Sequence, residues 1–397
     1  MSDLRVPRGF VFSAGCAGIK ASGKPDLALA EAPRGANAAA LFTRNRVVAA
    51  PLIVGREHLK KTRGRVRAVI VNSGNANCAT GAGGMAATRA VCGQLGKVLQ
   101  AAPEFIFPSS TGIIGVPLPV EKIRAALPQV VSGLASSGVA LQQFEQAIMT
   151  TDTRPKIASA TFRDGREAVT VTGVAKGAGM IHPNMATMLA YLFTDIDAVS
   201  AQLGAALVEA CGSSFNCISV DGDTSTNDTL LLLASGASGI KLDSRTRKRF
   251  AEALSDVCQS LAEQIVADGE GVKHVIRLSV EGARTDAEAH AIANTIATSM
   301  LVKTAWAGAD PNWGRILAAV GRSGIAVDPA KVDIFIGPHQ VCRQGAKGEF
   351  SEDSAHSYML RPQYDIRVRV GGGRGRVRLL TSDLTSEYVH INADYST

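Results

Sequence analysis

Thr187 stands where the segment AKGAGMIHPNMATMLA, residues 175–190, turns from a Gly-rich polar loop into an apolar run. A Thr hydroxyl is a weak nucleophile until a base takes its proton, and one compact source of that base is the residue's own α-amino group. That amine exists only if the bond before it is cut, here Ala186–Thr187, and a free α-amine titrates at about 7.7–8.0, close enough to neutrality to accept a proton. Most Thr residues at the head of a strand simply pack, so local sequence alone leaves both readings open.

Acyl transfer through a Thr ester also needs donors aimed at the developing oxyanion. Thr111-Gly112, in STGIIG, is the best candidate, because a Gly lets backbone N–H groups approach a ligand closely; the competing reading is an ordinary turn after a strand. Lys176 suits a substrate carboxylate and Glu270 a substrate ammonium, although each also fits a solvated loop. Lys176–Gly179 is no phosphate loop, since its glycines follow the Lys and no G-K-[ST] occurs there. Asp221-Gly222-Asp223 with Asp228 lacks the spacing and terminal Glu of a calcium loop and reads as a hydrogen-bonded turn. His182 is a rival base that the mechanism does not require. Asp310–Arg315, with Trp313, reads as packing or interface.

Short apolar strands interleaved with helices must position these groups. Strands are expected at Val66–Asn72, Phe105–Phe107 (ending at Pro108), Lys156–Thr161, Glu167–Thr172, Met188–Phe193, Thr229–Ala234 and Val275–Val280. Asp164-Gly165 marks a hairpin turn between the third and fourth of these. Helical patterns cover Gly84–Gln100, Val120–Ala126, Ala140–Ile148, Val199–Ala210, Arg245–Ala267 and Asp286–Val302. Past Val332 strands dominate, at Asp333–Ile336, Tyr364–Val370 and Arg376–Leu380, the last two joined through Gly371–Gly373. This alternation implies a layered α/β protein with a smaller C-terminal strand-rich lobe.

With 397 residues and 46% apolar content the chain can build one large or two ordinary domains. Its first residues lack the basic-then-apolar pattern of a signal peptide, and no apolar run reaches the length of a membrane span. Seven Cys without paired C-x-x-C spacing fit neither a disulfide framework nor a structural zinc site, so reduced thiols and a cytoplasmic location are expected. The formal charge of +7 is spread over short clusters such as Lys60–Arg67 and Arg374–Arg378, which read as solvated surface, and no nucleic-acid partner is expected.

One resemblance draws these features together. The segments GIKASG at Gly18–Gly23, LFTRN at Leu41–Asn45, NSGNANCATG at Asn72–Gly81, STGIIG at Ser110–Gly115, MTTD at Met149–Asp152 and DGDTSTNDT at Asp221–Thr229 resemble the ArgJ family. So do AKGAGM, ATML, GEGVKH at Gly269–His274, KTA at Lys303–Ala305 and DPNWGR at Asp310–Arg315. These are the ornithine acetyltransferases, or glutamate N-acetyltransferases, of arginine biosynthesis, and the resemblance covers nearly the whole chain. It implies a four-layer α-β-β-α sandwich and self-cleavage at Ala186–Thr187 into chains of residues 1–186 and 187–397, assembled as a heterotetramer of two each. It further implies an acetyl-Thr187 intermediate, an oxyanion hole at Thr111 and Gly112, and substrate contacts from Thr150, Lys176, Thr187, Glu270, Asn392 and Thr397. The implied substrates are N-acetyl-L-ornithine and L-glutamate, with no metal or organic cofactor; acetyl-CoA as a further donor is the point that separates bifunctional from monofunctional members. Two other readings compete: an N-terminal-nucleophile amidohydrolase or aminopeptidase of similar fold, and a non-catalytic amino-acid-binding protein.

Overall fold

The computed structural model describes residues 4–182 and 188–394. Its first sheet is built from β1 (Val11–Gly15), β2 (Leu27–Phe42), β3 (Arg65–Asn75), β4 (Ile106–Ile113), β5 (Lys156–Asp164), β6 (Glu167–Lys176), β7 (Leu189–Thr194) and, beyond the two-residue β8 (Ile218–Ser219), β9 (Thr229–Ala234). The order across it is β4-β3-β2-β9-β7-β6-β5, with β1 paired to β2. Helices α1 (Ala50–Lys61), α2 (Gly81–Val98), α3 (Val120–Ser132), α4 (Gly138–Ile148), α5 (Ser200–Gly212) and α6 (Arg247–Ala267) accompany it.

Strand β2 belongs to both halves of this sheet: residues 27–37 pair with β3 and residues 37–42 with β9, and its register shifts between Glu31 and Ala36. An irregularity of this kind bends a strand and increases its twist, which lets the two halves face each other. Alternating side chains then sort into three layers of core. Val69, Val71 and Phe107 from one half meet Tyr191, Phe193 and Leu231 from the other. Phe12 stands 4.9 Å from Phe193, ring centroid to centroid and edge to face. On the outer faces Leu27, Leu29, Ala68 and Ile70 are covered by Val91 and Leu95 of α2 and Ile123 and Leu127 of α3, while Ala190, Leu192, Leu230 and Leu232 are covered by Leu203 and Leu207 of α5 and Leu254 and Leu261 of α6. The result is the expected helix–sheet–sheet–helix sandwich.

The second lobe holds β10 (Val275–Ala283), α7 (Asp286–Ala297), α8 (Met300–Ala307), α9 (Trp313–Gly321), β11 (Asp333–Ile336), β12 (His339–Arg343), β13 (Ala346–Lys347), α10 (Glu352–Met359), β14 (Gln363–Arg369), β15 (Gly375–Ser382) and α11 (Ser386–Asp394). Its sheet runs β13-β12-β11-β14-β10-β15-β8. Ile276, Leu278, Ile334 and Ile366 turn one face toward Ile292, Trp306 and Ile316 of the helices. The other face carries Arg277, bound to Asp365, and Arg369, near Glu281; these basic residues are paired, solvated surface.

Several expectations need correction. Strand β4 does not stop at Pro108 but runs on to Ile113; it is an edge strand, where a residue without an N–H is tolerated. The single helix expected at Asp286–Val302 is two, because Thr298 turns its hydroxyl back to Asn294 O and the carbonyl of Ser299 starts the next helix by accepting from Lys303 N. Asp310–Arg315 does pack as expected, Trp313 lying against the core of this lobe, and Asn312 Oδ1 accepts from Arg315 N as the N-cap of α9. Among the described residues no helix is long and apolar enough to cross a membrane.

Candidate active site

Strand β7 pairs antiparallel with β6 and parallel with β9, so Lys176, Leu189 and Thr229 lie side by side at one end of these three strands. The ends of β4 and β3 from the facing half reach the same place, and there a cleft of about 260 Å³ opens. Thr111, Gly112, Thr150, Lys176, Glu270 and Asn392 all line it, together with Met188, Asp221, Asp228 and Tyr388. Ala186, Thr187 and Thr397 lie outside the described residues; Met188, which Thr187 precedes in the chain, is part of the lining.

The Thr111-Gly112 wall is shaped by a polar scaffold. Asn227 donates its amide to Ala76 O and Ser110 O, Ser110 donates to Asn72 Oδ1, and Asn75 donates to Val116 O and Pro117 O. Gly112 has φ +130° and lies so close to β3 that an added Cβ would stand 2.3 Å from Gly74 C and 2.5 Å from Asn75 N. Gly112→Ala is therefore expected to destabilise the fold by about 1–3 kcal/mol from backbone strain and by about as much again from overlap. Urea unfolding of the two proteins checks this; a loss of unfolding free energy below about 1 kcal/mol would show that the loop yields freely.

Lys176, nine-tenths buried, donates to Thr150 Oγ1 at 2.7 Å and reaches Thr111 Oγ1 at 3.4 Å. Burial pushes its ammonium below the usual lysine range, against the pull of Asp152, Glu270 and Asp228. Across the cleft Glu270 accepts from Asn392 Nδ2 at 2.8 Å, and its backbone N–H is tied to Ala178 O. A Cβ on Gly179 would fall 2.6 Å from the Glu270 carboxylate, so the glycine makes room for the acid. The cleft thus brings the Lys176 ammonium and the Glu270 carboxylate to one place, groups that suit the anionic and the cationic end of an amino acid.

Sequence reasoning missed part of the lining. Asp221 is a turn residue as expected, accepting from Met180 N and Ile181 N, yet it also faces the cleft, and burial pushes it up to about 6 against those N–H groups and that of Asp223. Asp228 is 1% exposed, its Oδ2 has no hydrogen-bond partner among the described residues, and burial raises it well above the usual carboxylate range. The acidic run at 221–228 was itself the signal, since it carries no basic residue to neutralise it. Tyr388 and Asn392 come from α11, whose sequence gave no hint of a role for Tyr388. His182 shares a hydrogen bond with Ser219 Oγ at 3.0 Å, and burial lowers it below the usual histidine range. Among the described residues no group of three His, Cys, Asp or Glu is placed to hold a metal.

A family model described as the ArgJ family matches residues 11–397. The chain belongs to the ArgJ family. It is 44% identical to the arginine biosynthesis bifunctional protein ArgJ of Methylococcus capsulatus, with 100% of this chain and 98% of that relative aligned, and 44% identical to that of Geobacter sulfurreducens, over 98% and 99%. A crystal structure of the ArgJ bifunctional protein of Bacillus halodurans aligns with TM-score 0.49 and 41% identity over 51% of this chain and 96% of its own. A solved ornithine acetyltransferase from Mycobacterium tuberculosis, complexed with ornithine, aligns with TM-score 0.41 and 38% identity over 46% and 96%. Several of the ArgJ-like segments of the sequence line the cleft: STGIIG, MTTD, AKGAGM, DGDTSTNDT and GEGVKH each contribute.

Proposed function

We propose that the protein is a glutamate N-acetyltransferase of arginine biosynthesis, moving acetyl from N-acetyl-L-ornithine to L-glutamate through an ester on Thr187. The observation that carries this is the meeting of Thr111, Gly112, Thr150, Lys176, Glu270 and Asn392 in one cleft beside Met188, in a chain of the ArgJ family. Relatives named as bifunctional arginine biosynthesis proteins, at 44% identity over their full length, support the same activity.

In this reading the Thr187 hydroxyl first attacks the Ala186 carbonyl, the peptide bond becomes an ester, and water hydrolyses it to leave an Ala186 carboxylate and a free Thr187 amine. The residues then form two chains, 1–186 and 187–397, assembled as a cytoplasmic heterotetramer of two each. With acetylornithine bound, Lys176 faces its carboxylate and Glu270 its ammonium, while Asn392 and Thr397 close the site. The Thr187 hydroxyl attacks the acetyl carbonyl and its proton passes to the Thr187 amine. The oxyanion rests on the Thr111-Gly112 wall, and the C–N bond breaks as the proton returns to the departing ornithine nitrogen. Glutamate then takes the acetyl group by the reverse sequence. No metal or organic cofactor enters these steps, and acetyl-CoA is a second candidate donor.

The test is an assay of the purified protein with acetylornithine, with and without glutamate, and separately with acetyl-CoA and glutamate. Ornithine release that depends on glutamate, with N-acetylglutamate formed in equal amount, is expected. Equal release of acetate and ornithine without glutamate would instead favour an amidohydrolase, and no turnover at all a binding protein.

A further inference from the structure

Behind the Lys176 wall lies a buried ion network that the steps above do not use. Lys156, at the start of β5, is 1% exposed, and its ammonium sits between two carboxylates: Asp152 Oδ1 at 2.7 Å and Asp268 Oδ2 at 2.6 Å. Arg154 O accepts from it as well, at 3.3 Å. Asp152 meanwhile fixes two pieces of the cleft, accepting from Thr150 N at 2.9 Å and Gly177 N at 2.6 Å. Asp268 accepts from Thr153 N, Arg154 N and the Thr153 hydroxyl, and it lies two residues before Glu270. Burial would push Asp152 up, but Lys176 and Lys156 hold it well below the usual carboxylate range. Glu145 accepts from the Lys156 backbone N–H rather than from its ammonium, and burial pushes it up to about 8.

The spacing of the two lysines decides what each does. Lys156 touches Asp152 directly, whereas Lys176 stands 3.9 Å from Asp152 Oδ2 and directs its protons to Thr150 and Thr111. We infer that Lys156 is a positioning residue: by taking the short contact to Asp152 and tying it to Asp268, it keeps Lys176 in a longer ion pair with Asp152, its ammonium directed to Thr150 and Thr111 where it can face a substrate carboxylate, and fixes the distance to the Glu270 wall. Without it, two buried carboxylates would lack their shared cation, and Lys176 is the nearest replacement. Turning toward Asp152 would withdraw Lys176 from the cleft.

This rests on the reading of Lys176 as the carboxylate ligand, and the experiment separates the two. Lys156→Met, Lys156→Arg, Lys176→Met and the double variant Lys156→Met/Lys176→Met are assayed with N-acetylornithine and with its carboxamide, which lacks the anionic end. Lys156→Met/Asp268→Asn removes one charge of each sign and serves where Lys156→Met alone does not fold. The expected result is a KM for acetylornithine raised about tenfold by Lys156→Met, with kcat moved far less, and a KM for the carboxamide left nearly unchanged. Lys156→Arg should recover part of the loss, and Lys156→Met should add nothing once Lys176 is Met. Equal losses on both substrates, additivity with Lys176→Met, or an unchanged KM in a folded charge-balanced variant would overturn the role of Lys156. A Lys176→Met protein that still prefers acetylornithine to its carboxamide as strongly as wild type does would overturn the reading of Lys176 itself, and the inference with it.

Discussion

A Thr187→Ala protein should purify as one uncut chain and transfer no acetyl group. The methyl of alanine has nothing to attack with, so both the Ala186–Thr187 scission and the acetyl ester are lost together. Removing a covalent nucleophile from an enzyme costs up to on the order of a millionfold in kcat. Mass spectrometry of wild type incubated with acetylornithine alone should find the acetyl group on the chain that begins at Thr187, and the steady-state pattern should be ping-pong, since acetyl rests on the protein between substrates. Thr187→Ser keeps the hydroxyl but loses the methyl that restrains its rotamer, so some of both activities should survive. An active Thr187→Ala protein, or acetyl found on another residue, would end this assignment.

Glu270→Gln should be the next most damaging change to turnover, and a selective one. The carboxylate is nine-tenths buried, its side-chain hydrogen-bond partner among the described residues is Asn392, and it lines the same cleft as Lys176. Gln keeps the shape and can still accept from Asn392, so the fold and the self-cleavage should persist while the charge that holds a substrate ammonium disappears. A hydrogen bond to a charged group is worth about 1.5–3 kcal/mol, which predicts roughly a tenfold to hundredfold fall in kcat/KM for acetylornithine. Gel analysis of the two chains and a kinetic assay read the two effects separately. Unchanged kinetics would remove Glu270 from the site, and failure to cut would show that it serves the scission too.

The candidate site was easier to read from sequence than the fold that carries it. Thr111 and Lys176 lie at the Gly-flanked ends of β4 and β6, and Glu270 lies between two glycines after α6; such polar, Gly-rich breaks in apolar runs are where backbone groups and charges become available to a ligand. Strand β2 gave no such signal: LALAEAPRGANAAALF is rich in Ala and broken by Pro33 and Gly35, and it becomes a strand only because neighbours on both sides pair with it and helices cover it. Local propensity loses there to tertiary pairing. Lys156 was hidden for a different reason. In RPKIAS it reads as surface, and what buries it is the arrival of Asp268 from a helix end more than a hundred residues away. Helix α11 likewise brings Tyr388 and Asn392 back to the cleft from the far end of the chain, a placement no window of sequence contains.

The strand order of the first sheet has a consequence for how the protein must be made. Strands β7 and β9 follow residue 187, whereas their outer neighbours β6 and β2 precede it, so the later segment's pair of strands is clasped on both sides by the earlier one. If the bond at 186 opens, the products are an interlocked pair held by two rows of backbone hydrogen bonds, with no single surface along which they part. Such an object is assembled while the polypeptide is continuous, when the two segments are held at the high mutual concentration that a covalent tether provides. The scission then belongs to the end of folding, and fragments 1–186 and 187–397 produced apart would expose, respectively, a gap and an unflanked parallel pair of apolar strands, inviting aggregation before they meet.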